Sequence, residues 1–178
     1  MTDKKLHIGC GKVYIPGFVN VDIFSSVQAD VYADMTALPF ERCTFNLIYA
    51  SHVLEHAHRH MVLATLSHWR DLLKLGGVLR VAVPNFGAVV QHYIEGGILS
   101  DVVGLLYGGQ NHPKNHHFVT FDFGSLASDL TKVGFSKIRE WDWRQTDHFQ
   151  YDDYSQCHLP HMDKKHGKLM SLNLEATK

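Results

Sequence analysis

The chain is poor in cysteine: only Cys10, Cys43 and Cys157 occur in 178 residues. The count is odd and no CxxC spacing is present. This argues against a disulfide framework and for free thiols in a reducing compartment. No charge of one sign accumulates, since 17 basic residues stand against 18 acidic ones for a formal net charge of -1. A general electrostatic grip on nucleic acid is therefore not expected. No apolar run is long enough to span a membrane. The opening residues, MTDKKLHIGCGK, lack the apolar core of a secretion signal, so the expected location is cytoplasmic. Internal repeats and low-complexity tracts are missing too. With 45% apolar and 20% charged residues, the composition is that of an ordinary folded protein. The length fits a single domain over 1–178 that buries most of its apolar surface unaided. What the chain does have is histidine, 14 in all. Histidine titrates near neutral pH and binds metals, so its distribution matters.

Short apolar runs mark strands. Leu6 to Cys10 enters a Gly-Cys-Gly turn, and Phe18 to Ile23 follows the Pro16-Gly17 turn. Asp30 to Asp34 is shorter. Phe45 to Ser51 is apolar enough to be covered on both faces. Val62, Leu63, Leu66, Trp69, Leu72 and Leu73 recur at helical spacing, with Gly76 as the stop. Val78 to Val83 is a fifth strand, ended by Pro84. Ser125 to Val133 reads as a helix and Ser136 to Trp143 as a sixth strand. From Leu169 to Lys178, apolar Met170, Leu172, Leu174 and Ala176 alternate with polar residues as a strand requires. Strands interleaved with helices predict an α/β protein with a mostly parallel sheet. Two long segments, near 96–122 and 144–168, interrupt this pattern, with a short helix expected at Ser100 to Leu106. Their aromatics and histidines point to ordered, functional loops.

The turn His7-Ile8-Gly9-Cys10-Gly11 leaves the first strand where an open parallel sheet binds cofactors, and glycine lets backbone approach a ligand. The dinucleotide fingerprint GxGxxG is not met, because position 14 is tyrosine. Asp22 also follows Gly11 too soon for that fingerprint, so NAD is disfavoured. Asp22, at the end of the second strand, is placed to accept both hydroxyls of a ribose. Asp34-Met35, at the end of the third, sets a carboxylate and a soft apolar side chain where an adenine packs.

With LHIGCG, VNVD, ADMTALPF, FNLIYASHVLEH and LLKLGGVLRVAVP in this order, the chain resembles the class I S-adenosylmethionine-dependent methyltransferases. The resemblance covers nearly the whole chain. It is nearest to a compact branch of small bacterial methyltransferase-like proteins (type 11-like), whose own motifs YGGQNH and LPHMDKKHGKLMSLN resemble. The resemblance implies a Rossmann-like, seven-stranded sheet, mostly parallel with an antiparallel last strand. It implies S-adenosylmethionine as cofactor, with His7, Gly9, Cys10, Gly11, Asp22, Asp34, Met35, Ser51 and His52 in its site. Two departures stand out. His7 occupies the place of an acidic residue and cannot serve as anionic partner to the cofactor's ammonium group. Val13 replaces a third glycine, and about seven residues join Gly11 to Phe18, fewer than a helical crossover needs. Seven extended residues reach roughly 23 Å, enough to run back along a short strand. The first crossover helix is therefore expected to be missing.

His52, His56, His58 and His60 follow the fourth strand. His112, His116 and His117 follow the fifth. His148, His158, His161 and His166 precede the last. All eleven map to one predicted sheet edge. His117 and His161 are the candidate general bases, because a histidine near its pKa suits proton removal. His112, His116, Asp153 and Tyr154 are the candidate acceptor-binding residues. His52-Val53-Leu54-Glu55-His56 matches the H-x-x-E-H protease pattern, but a strand runs straight into His52, against a protease helix. No resident metal is expected; Glu55 and His56 with a loop histidine form the alternative. The leading expectation is methyl transfer to a small-molecule acceptor, such as a sugar or nucleotide-linked sugar of surface polysaccharide synthesis. The alternatives are a catalytically silent cofactor- or partner-binding protein of the same fold, or metal-assisted chemistry at the histidine-rich rim. No feature of the sequence specifies an oligomeric state.

Overall fold

A computed structural model describes residues 3–178. Seven strands form one sheet in the order β3-β2-β1-β4-β5-β9-β6. They are β1 (Lys5–Ile8), β2 (Phe18–Asp22), β3 (Val31–Tyr32), β4 (Phe45–Ser51), β5 (Leu73–Pro84), β6 (Ser136–Glu140) and β9 (Ser171–Thr177). β7 (His158–Leu159) and β8 (Lys168–Leu169) form a separate antiparallel pair. β1 to β5 pair in parallel, and β9 inserts antiparallel between β5 and β6. The expected sheet, including its antiparallel last strand, is the one observed. The carboxyl ends of β1 to β5 share one edge, joined by the start of β9, where Pro84 pairs with Ser171.

Side-chain alternation gives the sheet two different faces. Leu6, Ile8, Ile48, Ala50, Leu79, Val81, Leu174 and Ala176 point to one of them and are buried. Two helices cover that face, α1 (Val62–Leu72) through Leu66 and Trp69, and α4 (Phe123–Lys132) through Leu126 and Leu130. Each such large apolar side chain contributes about 1.5–3 kcal/mol on burial. The Trp69 indole N–H donates to Met35 O at 2.9 Å, so the helix also fixes the segment after β3. Asp122 starts α4 by accepting the Ser125 N–H at 2.7 Å, a capping contact that satisfies an otherwise orphaned helix donor.

The opposite face carries His7, Asn20, Tyr49, Arg80, Asn173 and Glu175, and no α-helix covers it among the described residues. Instead Val13 and Ile15 lie over it from the first crossover, with Trp141, Trp143, Tyr151 and Leu169 from the segment before β9. The first crossover contains no helix, as its length predicts. Asn20 holds it in place. Its side chain accepts the Ile15 N–H at 2.9 Å and donates to Ile15 O and Phe18 O, each at 3.0 Å. These bonds satisfy backbone groups that a helix would have paired internally.

Three sequence expectations need correction. A helix unforeseen in the sequence, α2 (Phe86–Ile94), follows β5, ahead of the anticipated α3 (Leu99–Tyr107). α1 ends at Leu72 rather than at Gly76, and β5 begins at once with Leu73. The sixth strand stops at Glu140, three residues early, and Trp143 lies in a short 3-10 turn instead. None of the described helices is long and apolar enough to cross a membrane.

Candidate functional site: the carboxyl edge of the sheet

The turn after β1 places two glycines in the left-handed region, Gly9 at φ +67° and Gly11 at φ +52°. Their surroundings differ. A Cβ on Gly9 would sit 2.2 Å from Val53 Cγ2, whereas one on Gly11 would meet nothing within 4 Å. Gly9 is thus demanded by packing, and Gly11 opens onto free space. Asp22 ties this turn down: Oδ2 accepts the Gly11 N–H at 2.8 Å and Oδ1 the Phe24 N–H at 2.9 Å. Asp34 accepts both the N–H and hydroxyl of Thr36. Partial burial pushes the Asp34 carboxyl up, but the Thr36 bonds outweigh it and hold the group below its ordinary value. Cys10 is buried, and burial together with the Asp22 charge pushes its thiol up to about 11. Met35 is partly buried against the main core.

His7 is not at this edge. Its ring is buried on the sheet's second face, stacked on Tyr49 at 5.2 Å, with Nδ1 3.0 Å from Asn20 Oδ1. Burial pushes its pKa down, which favours the neutral ring. The sequence expectation that His7 contacts the cofactor does not match this placement. The residue completes the cover of the helix-free face.

The end of β4 leads into a different cluster. His52 has φ +52°, and this turn swings Leu54–His56 into a single 3-10 turn under the edge. Glu55 is completely buried, and neither carboxylate oxygen has a hydrogen-bond partner among the described residues. Three histidines surround it. His52 Nδ1 lies 3.5 Å and His117 Nε2 3.9 Å from Glu55 Oε1, and the His56 and His117 rings are 4.8 Å apart. Burial pushes the Glu55 carboxyl up to about 8, and pushes His52 down to about 3 and His117 down to about 4. The loop that brings His117 is anchored to this turn, with the Phe118 N–H donating to Glu55 O at 2.8 Å.

The remaining candidates divide. His112 and His116 line an open cleft of about 540 Å³ with Gln110, Asn111, Pro113 and Phe118. His112 reaches across to Phe24, beyond β2, with ring centroids 4.9 Å apart. Tyr154 is exposed and lies over His52 at 5.5 Å. Asp153 is occupied elsewhere: it accepts the Tyr49 hydroxyl and the Ser155 N–H. Ser51 is buried, and its hydroxyl lacks a partner among the described residues. His161 is exposed on the turn after β7. The rim reading of the histidines needs correction at His148 and His158, which are buried, His148 against Phe18 and Tyr49. Their segment folds across the second face rather than standing on the edge. Sequence reasoning passed over Val53, Asn20 and Tyr49. The polar alternation of His7, Asn20 and Tyr49 across three adjacent strands was the signal available for the last two.

Residues 18–81 match the family described as a methyltransferase domain. No curated protein matches the chain. Solved structures match over nearly its whole length. A SAM-dependent methyltransferase from Archaeoglobus fulgidus is 15% identical, with 99% of this chain and 86% of that one covered and a TM-score of 0.59. One from Methanosarcina mazei is 16% identical, with 99% and 92% covered and a TM-score of 0.61. A third, the Burkholderia thailandensis 1,6-didemethyltoxoflavin-N1-methyltransferase, is 12% identical over 98% and 70%, with a TM-score of 0.56. It carries bound S-adenosylhomocysteine. In fold the chain is similar to these SAM-dependent methyltransferases, and over residues 18–81 it matches the methyltransferase-domain family.

Proposed function

We propose that the protein transfers a methyl group from S-adenosylmethionine to a small-molecule acceptor. The observation that carries this reading is the Gly11–Asp22 turn. A buried carboxylate fixes a left-handed glycine that faces open space at the carboxyl edge of a parallel sheet, the place where such sheets bind nucleotides. The fit is best for the adenosyl half, with Asp22 and Asp34 as acceptors for its hydroxyls and amino group. When bound, the cofactor supplies an electrophilic methyl on a sulfonium. This chain's residues then have to orient the acceptor and take up its proton.

The cleft beside Phe24 suits a polar, sugar-sized acceptor. Phe118 offers an aromatic face, and Asn111, His112 and His116 offer hydrogen bonds. A sugar or nucleotide-linked sugar of surface polysaccharide synthesis fits this lining, in a cytoplasmic enzyme with reduced cysteines and no nucleic-acid partner. Tyr154 joins the acceptor side through its exposed ring, while Asp153 supports it from beneath. We assign proton uptake to His161, since the free nitrogen of His117 faces buried Glu55. His7 and the helix-free crossover favour a second reading, a catalytically silent binding protein of the same fold.

Calorimetry with S-adenosylmethionine and S-adenosylhomocysteine separates these readings from unrelated functions. Binding of either, weakened at least about tenfold by Asp22→Ala, is expected (about 1.4 kcal/mol). Failure to bind either one at millimolar concentration rules out the cofactor assignment. Binding without methyl transfer to any sugar nucleotide favours the silent protein.

A further inference from the structure

The buried cluster after β4 has an arrangement of charges and lone pairs that is incomplete by itself. The tautomers of its histidines follow from their outer partners. His56 Nδ1 lies 2.9 Å from His116 O, and His117 Nδ1 lies 2.9 Å from Leu105 O. A carbonyl only accepts, so both Nδ1 atoms carry the hydrogen and both Nε2 atoms carry a lone pair. His52 Nε2 lies 3.0 Å from the Ser171 hydroxyl, which itself donates to Asn173 Oδ1 at 2.8 Å. His52 Nε2 is therefore the donor, and its Nδ1 presents a lone pair towards Glu55. Three imidazole lone pairs thus surround a fully buried carboxylate that accepts no hydrogen bond among the described residues. Burying such a set is unfavourable unless a cation or proton compensates it.

We propose that Glu55, His56 and His117 bind a divalent transition-metal ion of the zinc class, with His52 forming the wall beside it. One ligand atom from each of the three lies within 4.8 Å of the others. Tetrahedral zinc with bonds of about 2.0–2.1 Å sets its ligands roughly 3.4 Å apart, so modest side-chain rotation closes the site. Imidazole nitrogens with one carboxylate select zinc, iron or cobalt over magnesium or calcium. Anchoring of each ligating ring through its other nitrogen to a backbone carbonyl is the outer-shell arrangement that metal-binding histidines use. The competing arrangement is a proton on Glu55 in place of the ion. The site does not depend on the cofactor reading, because metal uptake and S-adenosylhomocysteine binding are measured separately.

The test uses the untagged, full-length protein. After chelator dialysis, zinc and cobalt are titrated back, with metal content and the visible cobalt spectrum as readouts. We expect one equivalent of zinc per chain and cobalt bands typical of a tetrahedral nitrogen-oxygen site. Glu55→Gln or His117→Ala should weaken uptake by tenfold or more, and His56→Ala/His117→Ala should abolish it. His58→Ala/His60→Ala, which changes an exposed pair outside the cluster, should leave uptake unchanged. If Glu55→Gln fails to fold, His117→Ala on the loop carries the comparison. Uptake by the wild type that is absent, or no tighter than that of His56→Ala/His117→Ala, overturns the proposal.

Discussion

The Tyr49 hydroxyl donates to Asp153 Oδ2 at 2.5 Å, joining residues 104 positions apart in sequence. This bond fastens the segment before β9 to the sheet face that has no helix. The Tyr49 ring also stacks on His7 and leans on His148. Tyr49→Phe keeps the ring and removes only the bond. It should cost about 1.5–3 kcal/mol, the range for a hydrogen bond to a charged group. Urea unfolding measures the loss, and protease cutting within 144–168 should accelerate in parallel. An unchanged midpoint with unchanged cutting would show that the bond does not hold the cover down.

Acid should loosen the same face. Burial pushes His148 down to about 4 from an ordinary 6.5, against the pull of Asp147 and Asp153. The unfolded chain takes up this proton near pH 6.5, while the folded chain refuses it until about pH 4. Stability is therefore complete above 6.5 and declines as pH falls from there towards 4, by about 3 kcal/mol for this residue. His7, also held down by burial, acts in the same direction. Denaturation midpoints measured between neutral pH and pH 5 should fall less steeply for His148→Leu. Equal slopes would assign the acid sensitivity elsewhere.

The two glycines of the first turn should respond differently to alanine. Gly9→Ala drives a methyl into Val53 and should destabilise the fold by more than 2 kcal/mol, roughly the sum of overpacking and left-handed strain. Gly11→Ala meets open space, so only the strain of about 1–2 kcal/mol remains. If the cofactor lies where proposed, Gly11→Ala should weaken S-adenosylhomocysteine binding far more than it lowers the melting temperature. Calorimetry and thermal unfolding on the same samples make the comparison. Full affinity in Gly11→Ala would move the cofactor away from this turn.

Asn20 should be one of the least replaceable polar residues in the molecule. It is completely buried and holds both backbone groups of Ile15. Asn20→Leu orphans the Ile15 N–H, at about 1–3 kcal/mol, and leaves Ile15 O only the Phe18 N–H at 3.2 Å. A loss of about 2–3 kcal/mol in unfolding free energy is expected. Tolerance of leucine there would mean that Ile15 alone holds the crossover.

The sheet was legible because its strands are short apolar runs ending in glycine, aspartate or proline. Leu6–Cys10 and Val78–Pro84 announce themselves in this way, and Met170 to Ala176 does so by alternation. α2 was hidden for the opposite reason. Only Val89 is buried in it, while Phe86, Val90, Tyr93 and Ile94 are exposed, so its apolar residues trace no core-facing stripe. Asn85, which caps it by accepting the Ala88 N–H, was the one local sign. At the edge, the Gly-Cys-Gly turn and Asp22 were readable from spacing. The inward placement of His7 and His148 was not, because it depends on which segment covers the second face. Nothing local in 144–168 states that it does.

The position of β9 constrains the order in which the chain can assemble. Among the described strands, β6 hydrogen-bonds only to β9, and β9 also pairs with β5 along Val78 to Pro84. Until Ser171–Thr177 has docked, β6 has no strand to join and β5 presents an open edge. The parallel half, β1 to β5 with α1, can form first, and the last strand then zips the molecule shut. An unfolding intermediate of this protein should therefore lose β6, β9 and the segment between them as one unit, leaving the Gly9–Gly11 turn still folded.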